Sequence, residues 1–243
     1  MSDNLYYSMC GIFGIFGEYD FSKEQINDAF MRGQHRGPEF SILTDKKSSM
    51  LFQLGFHRLA INGLDSSSHQ PLCDKNISLI CNGEIYNYQS LYNQLNITPN
   101  THSDCEVIIH LYQKYGIETT LQMIDGVFAF ILVDENKNEI YVARDPYGVR
   151  PMFQLKNEHG GINYLVFGSE LKQVYPFFSE GDAIDQFPPG TMSHYSVGDE
   201  NSGISIRQIS SLKYTYFPFM KHINRSDVLS EINKRFRNAV KKR

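Results

Sequence analysis

Cys10 is placed where a cysteine can act as a nucleophile. It opens an apolar run over residues 10–16 and follows a polar and aromatic segment of nine residues. A thiol nucleophile needs a base, and the sequence offers no clear Cys–His pairing. A cysteine that begins the mature chain can use its own α-amine, whose reference pKa is about 7.7–8.0. The alternative is a buried strand cysteine, which is the usual role of a free thiol.

Two charged residues suit the two ends of an amino-acid substrate. Arg58 lies within the apolar segment 56–61, where an arginine is seldom buried without a partner. Its guanidinium suits bidentate capture of an α-carboxylate, although an arginine on the surface of an edge strand gives the same pattern. Asp104 follows Ser103 at a predicted helix start, where an aspartate commonly compensates the helix dipole. The same carboxylate can instead hold a substrate's ammonium group.

The segment 81–87 contains an Asn-Gly pair, Asn82-Gly83, directly after a predicted strand. Asn-Gly is an ordinary turn signal. The functional alternative is an oxyanion hole, in which the asparagine amide and a glycine N–H each contribute about 2.7–4 kcal/mol to transition-state stabilisation. From this segment alone, both interpretations stay open.

The elements that must position these residues are a mixture of helices and antiparallel strands. Residues 22–34 predict a helix behind a Ser22 cap. Residues 103–116 predict a second helix, with a capping box of Ser103 and Glu106 and a stop at Gly116. Because helices and strands do not alternate strictly, the pattern favours an α+β fold over a parallel α/β sheet. The predicted strands cover residues 10–16, 50–61, 77–81, 127–133, 139–144 and 164–168, and a short helix covers 169–175.

Composition excludes several classes of function. The chain has 23 basic and 27 acidic residues, a net charge of −4, which gives no general attraction to nucleic acid or an anionic membrane. The N-terminal segment lacks the pattern of a signal peptide or membrane span, so we expect a cytoplasmic protein with free thiols. No C-x-x-C pair and no zinc-ligand spacing of histidine occurs, so no metal site is predicted. Three of the four cysteines are interpreted as structural: Cys73, Cys81 and Cys105.

The C-terminal part of the chain has a different pattern. Residues 201–219 are irregular and punctuated by proline, which predicts a linker. Residues 226–243 predict an amphipathic helix with a basic polar side. Its apolar stripe consists of Val228, Leu229, Ile232, Phe236, Ala239 and Val240.

Ten ordered motifs between residue 9 and about residue 195 resemble those of the class II glutamine amidotransferases. The chain is similar to the asparagine synthetase branch in particular. An Arg-Gly-Pro-acid motif, Ser-Asp-Cys-Glu-Val-Ile and Phe-Pro-Pro-Gly distinguish that branch from phosphosugar- and purine-pathway amidotransferases. The motifs occupy residues 9–14, 35–39, 56–61, 70–72, 81–87, 103–108, 125–130, 143–148, 167–172 and 187–190.

The resemblance implies an α+β Ntn-hydrolase fold over residues 10–198, a four-layer αββα sandwich with two antiparallel sheets. It also implies hydrolysis of the glutamine side-chain amide through a thioester on Cys10, whose own α-amine is the base. Asn82 and Gly83 would form the oxyanion hole. The residues implied to bind substrate are Arg58 for the α-carboxylate, Asp104 with Glu84 for the α-amine, and Leu59, Ala60, Ile61 and Asn62 for the pocket backbone.

Two features depart from the family pattern. Residues 1–9 form a leader, which leaves Cys10 with an amide nitrogen in place of a basic amine. Translation from Met9, removal of a propeptide and an inactive homologue are the three explanations. Residues 199–243 are interpreted as a linker and the first helix of a synthetase domain whose Ser-Gly-Gly-Leu-Asp-Ser loop is not found. ATP and Mg are therefore expected only in that domain, and no cofactor is expected in this chain.

Two hypotheses of function follow. The first is an active glutaminase that binds glutamine and supplies ammonia for asparagine synthesis from aspartate, with a separate synthetase domain or subunit as partner. The second is a catalytically inactive regulatory or interaction subunit of the asparagine synthetase type.

Overall fold

Two six-stranded antiparallel sheets form the centre of the protein. The computed structural model describes residues 9–45, 51–60, 63–158, 162–200, 203–214 and 225–242. The helices are α1 (Lys23–Met31), α2 (Tyr88–Leu95), α3 (Val107–Met123), α4 (Leu171–Val174) and α5 (Arg225–Lys242). The strands are β1 (Gly11–Gly17), β2 (Phe40–Leu43), β3 (Phe52–Arg58), β4 (Leu72–Asp74), β5 (Ile77–Ile85), β6 (Gly126–Asp134), β7 (Glu139–Arg144), β8 (Phe153–Asn157), β9 (Tyr164–Gly168), β10 (Ala183–Gln186), β11 (Thr191–Glu200) and β12 (Gly203–Lys213).

The first sheet has the strand order β10-β8-β9-β1-β3-β2, and the second has the order β12-β11-β7-β6-β5-β4. Alternate side chains of β1 face opposite sides, as a strand requires. Ile12 and Phe16 join the buried cluster between the two sheets, whereas Phe13 and Ile15 pack outward against α1 and α4. The outer face of the second sheet packs against α2 and α3. The predicted four-layer αββα sandwich is confirmed.

Gly14 lies in β1 close to the facing sheet. A Cβ atom added there would lie 2.9 Å from Cδ1 of Ile131 on the facing sheet. A side chain at this position would therefore force Ile131 or Phe16 to shift, which favours a glycine inside this buried strand.

Ser22 and Ser103 are both N-caps, as the sequence predicts, but Glu106 does not complete a capping box. Ser22 caps α1 in a capping box with Gln25. The predicted capping box of Ser103 with Glu106 is wrong: the Ser103 hydroxyl accepts from the N–H of Cys105, and a 3-10 turn over Asp104–Glu106 precedes α3. Gly116 interrupts α3 as predicted: its φ of 77° and ψ of 170° are not helical, and a second helical segment continues beyond it to Met123.

The prediction of a linker over residues 201–219 is wrong for residues 203–213. These residues form β12, which pairs antiparallel with β11 along its whole length. β12 is the outermost strand of the second sheet, and its only further pairing among the described residues is a single bridge between Ile206 and Ile162, so it needs few apolar residues. Ile206 is buried, while most of its other described side chains are exposed or half-buried. Residues 215–224 lie outside the described part of the chain.

The C-terminal helix is confirmed as α5 (Arg225–Lys242). Its apolar stripe is exposed at Leu229, Ile232, Phe236 and Val240. Among the described residues, no helix is long and apolar enough to span a membrane.

Asp145 organises the loop that follows β7. Its carboxylate is fully buried and accepts from the backbone N–H groups of Tyr147 and Val149 at 3.0 Å each, Arg150 at 3.1 Å and Phe128 at 3.3 Å. A single side chain thus attaches the loop to β6 and sets the path of the chain toward Arg150.

We predict that Asp145→Ala lowers the free energy of unfolding by about 3–4 kcal/mol, because it leaves one buried and three partly buried N–H groups without this acceptor. Urea unfolding monitored by circular dichroism measures this value. Asp185→Ala, on the exposed edge strand β10, is the control and should change stability by no more than about 0.5 kcal/mol. A loss of less than about 1 kcal/mol for Asp145→Ala would contradict the assignment.

Candidate active site

A pocket opens where β1 begins and β3 ends in the first sheet, opposite β5 of the second sheet. It brings together six of the residues that the sequence predicts for the site: Cys10, Arg58, Leu59, Gly83, Glu84 and Asp104. Of the other predicted residues, Ala60 and Asn82 do not line the pocket, and Ile61 and Asn62 lie outside the described residues. The lining also includes residues that the sequence did not single out for the site: Phe56, Ser68, Gln70, Cys81, Ser103, Cys105 and Arg150.

Cys10 precedes β1 and is held by the chain that follows β3. Its Sγ lies 3.3 Å from the carbonyl oxygen of Leu59, to which it donates, and 3.4 Å from the N–H of Leu59, from which it accepts. Arg36 Nε donates to the carbonyl oxygen of Cys10 at 3.1 Å. Burial raises the pKa of the Cys10 thiol, and the backbone of Leu59 and the charge of Arg150 offset this only in part.

The thiol has no side-chain base in the described part of the chain. Its hydrogen-bond partners there are the two backbone groups of Leu59. Because its pKa is raised, little of the thiol is ionised at neutral pH, and a nucleophilic role needs a base close to the sulfur.

Arg58, the last residue of β3, is buried. Its Nη1 donates to the carbonyl oxygen of Asp65 at 3.0 Å, and its Nη2 donates to the carbonyl oxygen of Gly63. Both partners are neutral main-chain groups, so they orient the guanidinium without cancelling its charge. The cation therefore lies at the pocket wall, as the capture of a carboxylate requires.

Asp104 supplies the opposite charge on another wall of the pocket. It lies in the 3-10 turn before α3 and is buried. Its Oδ2 accepts from the N–H of Ile85 at 2.6 Å, which joins the turn to the end of β5. Glu84, one residue earlier on β5, also lines the pocket. A cation and carboxylates on separate walls match the two charged groups of a free amino acid.

Asn82 is inside β5 and not in a turn, because β5 extends to Ile85 and pairs Asn82 with Ala129 of β6. Ile80, two residues earlier, faces the cluster between the sheets, so the side chain of Asn82 shares that face. Cys10 packs against the same cluster. The Asn82 Nδ2 atom is buried and has no hydrogen-bond partner among the described residues. A buried donor without a partner destabilises the fold, so its presence in a native structure calls for an explanation such as a role in catalysis.

Gly83 lies in β5 close to the neighbouring strand β6. A Cβ atom on Gly83 would lie 2.6 Å from the carbonyl oxygen of Val127 and 2.8 Å from Cβ of Phe128. Only glycine fits at this position, so the Asn-Gly pair reflects close packing within the sheet and does not form a turn.

Gln70 fixes the chain beside the pocket and was not predicted as a site residue. Its Oε1 accepts from the N–H of Cys81 at 2.6 Å, and its Nε2 donates to the carbonyl oxygen of Cys81 at 3.1 Å. The side chain thus replaces a neighbouring strand at this point of β5. The sequence places Gln70 in the motif 70–72, but the motif does not indicate that its side chain pairs with the main chain of Cys81.

Comparison with known proteins identifies the family. A family model described as a glutamine amidotransferase domain matches residues 9–215, which includes β12. The chain belongs to this family, the class II glutamine amidotransferases, which have the Ntn-hydrolase fold.

Relatives point to one branch of the family. The glutamine-hydrolysing asparagine synthetase of Mesocricetus auratus is 36% identical over 210 residues, which are 85% of this chain and 36% of that protein. The human enzyme is 35% identical over 210 residues, with the same coverage. The Gallus gallus enzyme is 33% identical over 252 residues, covering 97% of this chain and 44% of that protein. The chain thus spans less than half the length of these relatives.

Solved structures agree on the fold. The glutamine phosphoribosylpyrophosphate amidotransferase of B. subtilis superposes with a TM-score of 0.60 at 26% identity, covering 83% of this chain and 49% of that one. A structure described as the allosteric regulatory enzyme of purine biosynthesis gives a TM-score of 0.61 at 25% identity, with the same coverage.

Glu106 holds the segment that leads into the Asp104 turn. Its carboxylate accepts from the N–H of Asn100 at 2.8 Å, from the N–H of Thr101 at 2.7 Å and from the Thr101 hydroxyl at 2.6 Å, and it lies 3.0 Å from His110 Nε2. Burial raises the pKa of Glu106, but the hydrogen bonds from His110, Thr101 and Asn100 outweigh burial and lower the pKa to about 2.

We predict that Glu106→Gln lowers the free energy of unfolding by about 2 kcal/mol at pH 7, because hydrogen bonds to a charged acceptor are lost. The folded-state pKa lies below the ordinary value of 4.5, so this stabilisation is complete above that value and disappears as the pH falls toward 2. Urea unfolding between pH 3 and pH 8 measures the difference between the two proteins. Glu118→Gln, exposed on α3, is the control. A difference that does not depend on pH would contradict the prediction.

Proposed function

We propose that the protein hydrolyses the side-chain amide of glutamine to glutamate and ammonia through a γ-glutamyl thioester on Cys10. One observation carries the proposal: the Cys10 thiol shares a pocket with the cation of Arg58 and the carboxylate of Asp104, and the unpaired amide of Asn82 faces the same inter-sheet cluster. Membership of the glutamine amidotransferase family supports this substrate.

Each charged residue has a role in binding. Arg58 pairs with the α-carboxylate of glutamine, and Asp104 with Glu84 pairs with the α-ammonium group. The backbone of residues 59–62 flanks the side chain of glutamine. With both ends of the amino acid held, the side-chain amide is directed to Cys10 and the reaction becomes effectively unimolecular.

The reaction has two stages. The Cys10 thiol gives up its proton to the base, and the thiolate attacks the side-chain carbonyl carbon, whose oxygen becomes an oxyanion. Nδ2 of Asn82 and the N–H of Gly83 donate to this oxyanion. The intermediate collapses, the nitrogen leaves as ammonia with the proton from the base, and a thioester forms. Water then attacks the thioester, glutamate leaves, and the thiol is restored.

The base is the α-amine of Cys10, so the active form begins at Cys10. With Met9 attached, the nitrogen of Cys10 belongs to an amide and accepts no proton. The amide bond between Met9 and Cys10 favours a second candidate function for a chain that keeps residues 1–9, namely a catalytically inactive regulatory or interaction subunit of the asparagine synthetase type.

The ammonia is proposed to serve asparagine synthesis from aspartate. The relatives in support are glutamine-hydrolysing asparagine synthetases, whose length extends well beyond the matched region. Adenylation with ATP and Mg would belong to a synthetase domain or subunit, which is the proposed partner. The described residues include no group of three or more His, Cys, Asp or Glu side chains that could hold a metal ion. Cytoplasmic location stays a prediction.

We predict that a chain starting at Cys10 releases glutamate from glutamine, and that the chain with residues 1–9 attached is at least about 100-fold slower because it lacks the general base. Intact mass spectrometry establishes the first residue, and a coupled glutamate assay measures turnover. Cys10→Ala in the shortened chain is the control and should be inactive. The role of the amine would be contradicted if a chain shown by mass spectrometry to retain Met1 or Ser2 turned over glutamine as fast as the chain starting at Cys10.

We predict that Asn82→Ala lowers kcat by about 100- to 1000-fold and changes KM little, because its amide donates to a charge that develops only in the transition state. Steady-state kinetics of the chain starting at Cys10 separates the two constants. Asn93→Ala, on the exposed face of α2, is the matched control. If KM rises while kcat is unchanged, Asn82 acts in substrate binding and not in the oxyanion hole.

A further inference from the structure

We infer that Asp65 and His102 form a bridge that joins the Arg58 wall of the pocket to the Asp104 wall and thereby sets the affinity for glutamine. His102 Nδ1 lies 2.5 Å from Asp65 Oδ2. Neither residue lines the pocket, so both act as positioning residues. The inference rests on the proposed function and extends it.

On one side, the bridge holds the segment that orients Arg58. The guanidinium donates to the main-chain carbonyls of Gly63 and Asp65, so its position depends on where this segment lies. The Asp65 carboxylate also accepts from the hydroxyl of Ser67 and, at 3.4 Å, from that of Ser68. Asp65 therefore contacts Arg58 through its main chain and His102 through its side chain.

On the other side, the bridge holds the turn that carries Asp104. His102 lies two residues before Asp104, and its backbone N–H donates to the Ser68 hydroxyl at 3.2 Å. Asp104 is attached to β5 through the N–H of Ile85. The segment of residues 63–68 and the segment that leads into Asp104 are thus joined by a main-chain contact and a side-chain contact.

Gly63 shows how closely these two segments pack. Its φ is +61°, a left-handed conformation that favours glycine. An added Cβ atom would lie 2.3 Å from Ser68 Oγ and 2.9 Å from the carbonyl carbon of His102. The distance between the segments is therefore fixed by contact, and the Asp65–His102 pair closes the exposed side of this junction.

The charge and exposure of the pair suit a positioning role. The hydrogen bonds from Ser67 and then from His102 hold the pKa of Asp65 far below its ordinary value, so its carboxylate is ionised at any physiological pH. The side chain of His102 is 79% exposed and that of Asp65 is 44% exposed. An exposed ion pair of this kind contributes modestly to the free energy of folding. Because glutamine is bound by both charged ends, a small change in the separation of Arg58 and Asp104 weakens the contacts at both.

Calorimetric binding of glutamine in the Cys10→Ala chain tests the bridge without turnover. His102→Gln and Asp65→Asn should each weaken binding by about two- to fivefold. The double variant should be no weaker than the weaker single variant, because both changes remove the same contact. In the active chain the same substitutions should raise KM and leave kcat unchanged. The control is His194→Gln, which removes an imidazole 3.3 Å from Glu139 and should not change binding.

The outcomes separate the two proposals. If the Cys10→Ala chain does not bind glutamine at all, the proposed function fails. If it binds glutamine, the bridge is refuted by single variants that match His194→Gln, by a double variant whose loss is the product of the single losses, or by a fall in kcat with KM unchanged. Weaker binding by both single variants, without further loss in the double variant, supports the bridge.

Discussion

The packing of one sheet against the other is the constraint on which the site depends. Cys10 leads into the first sheet and Asn82 lies in the second, so the two can act on one substrate only if the sheets pack face to face. The apolar cluster between the sheets includes Ile12 and Phe56 from the first sheet and Ile80 and Ile131 from the second. Burial of such side chains is the main favourable contribution to folding. The interaction that stabilises the fold is therefore also the one that assembles the site.

Burial of polar groups around the pocket is compensated mainly by main-chain groups. Arg58 donates to carbonyl oxygens, Asp104 accepts from the N–H of Ile85, and Gln70 bonds to both main-chain groups of Cys81. These contacts fix the positions of the three side chains at the pocket. Asn82 Nδ2, like Arg36 Nη2 and Arg150 Nε, is a buried donor without a partner among the described residues. A buried donor left unpaired is consistent with an acceptor that forms only during a reaction.

Local sequence patterns predicted the elements that depend on local interactions. The Ser22 cap of α1, the strand after Cys10 and the amphipathic stripe of α5 depend on neighbouring residues, and all three are confirmed. The motifs also placed Cys10, Arg58, Gly83 and Asp104, which meet in one pocket. The family resemblance was needed to join them, because no local rule states that segments so far apart in the chain converge.

The features that the sequence did not predict depend on contacts between distant segments. The edge strand β12 has one neighbouring strand and little apolar pattern, so its residues were interpreted as a linker. Glu106 bonds back to Asn100 and Thr101 and not to the cap that its spacing suggests. Arg150 reaches the pocket because Asp145 shapes the preceding loop. Each of these outcomes depends on tertiary packing, which a local pattern does not contain.

Direct detection of the acyl-enzyme tests the central claim. The chain starting at Cys10 is mixed with glutamine, quenched in acid within the first turnovers, and examined by intact and peptide mass spectrometry. A γ-glutamyl group on the peptide that begins with Cys10, absent in the Cys10→Ala chain, is the predicted result. Glutamate release without any adduct on Cys10, or an adduct on Cys81 or Cys105, would contradict the role of Cys10 as nucleophile.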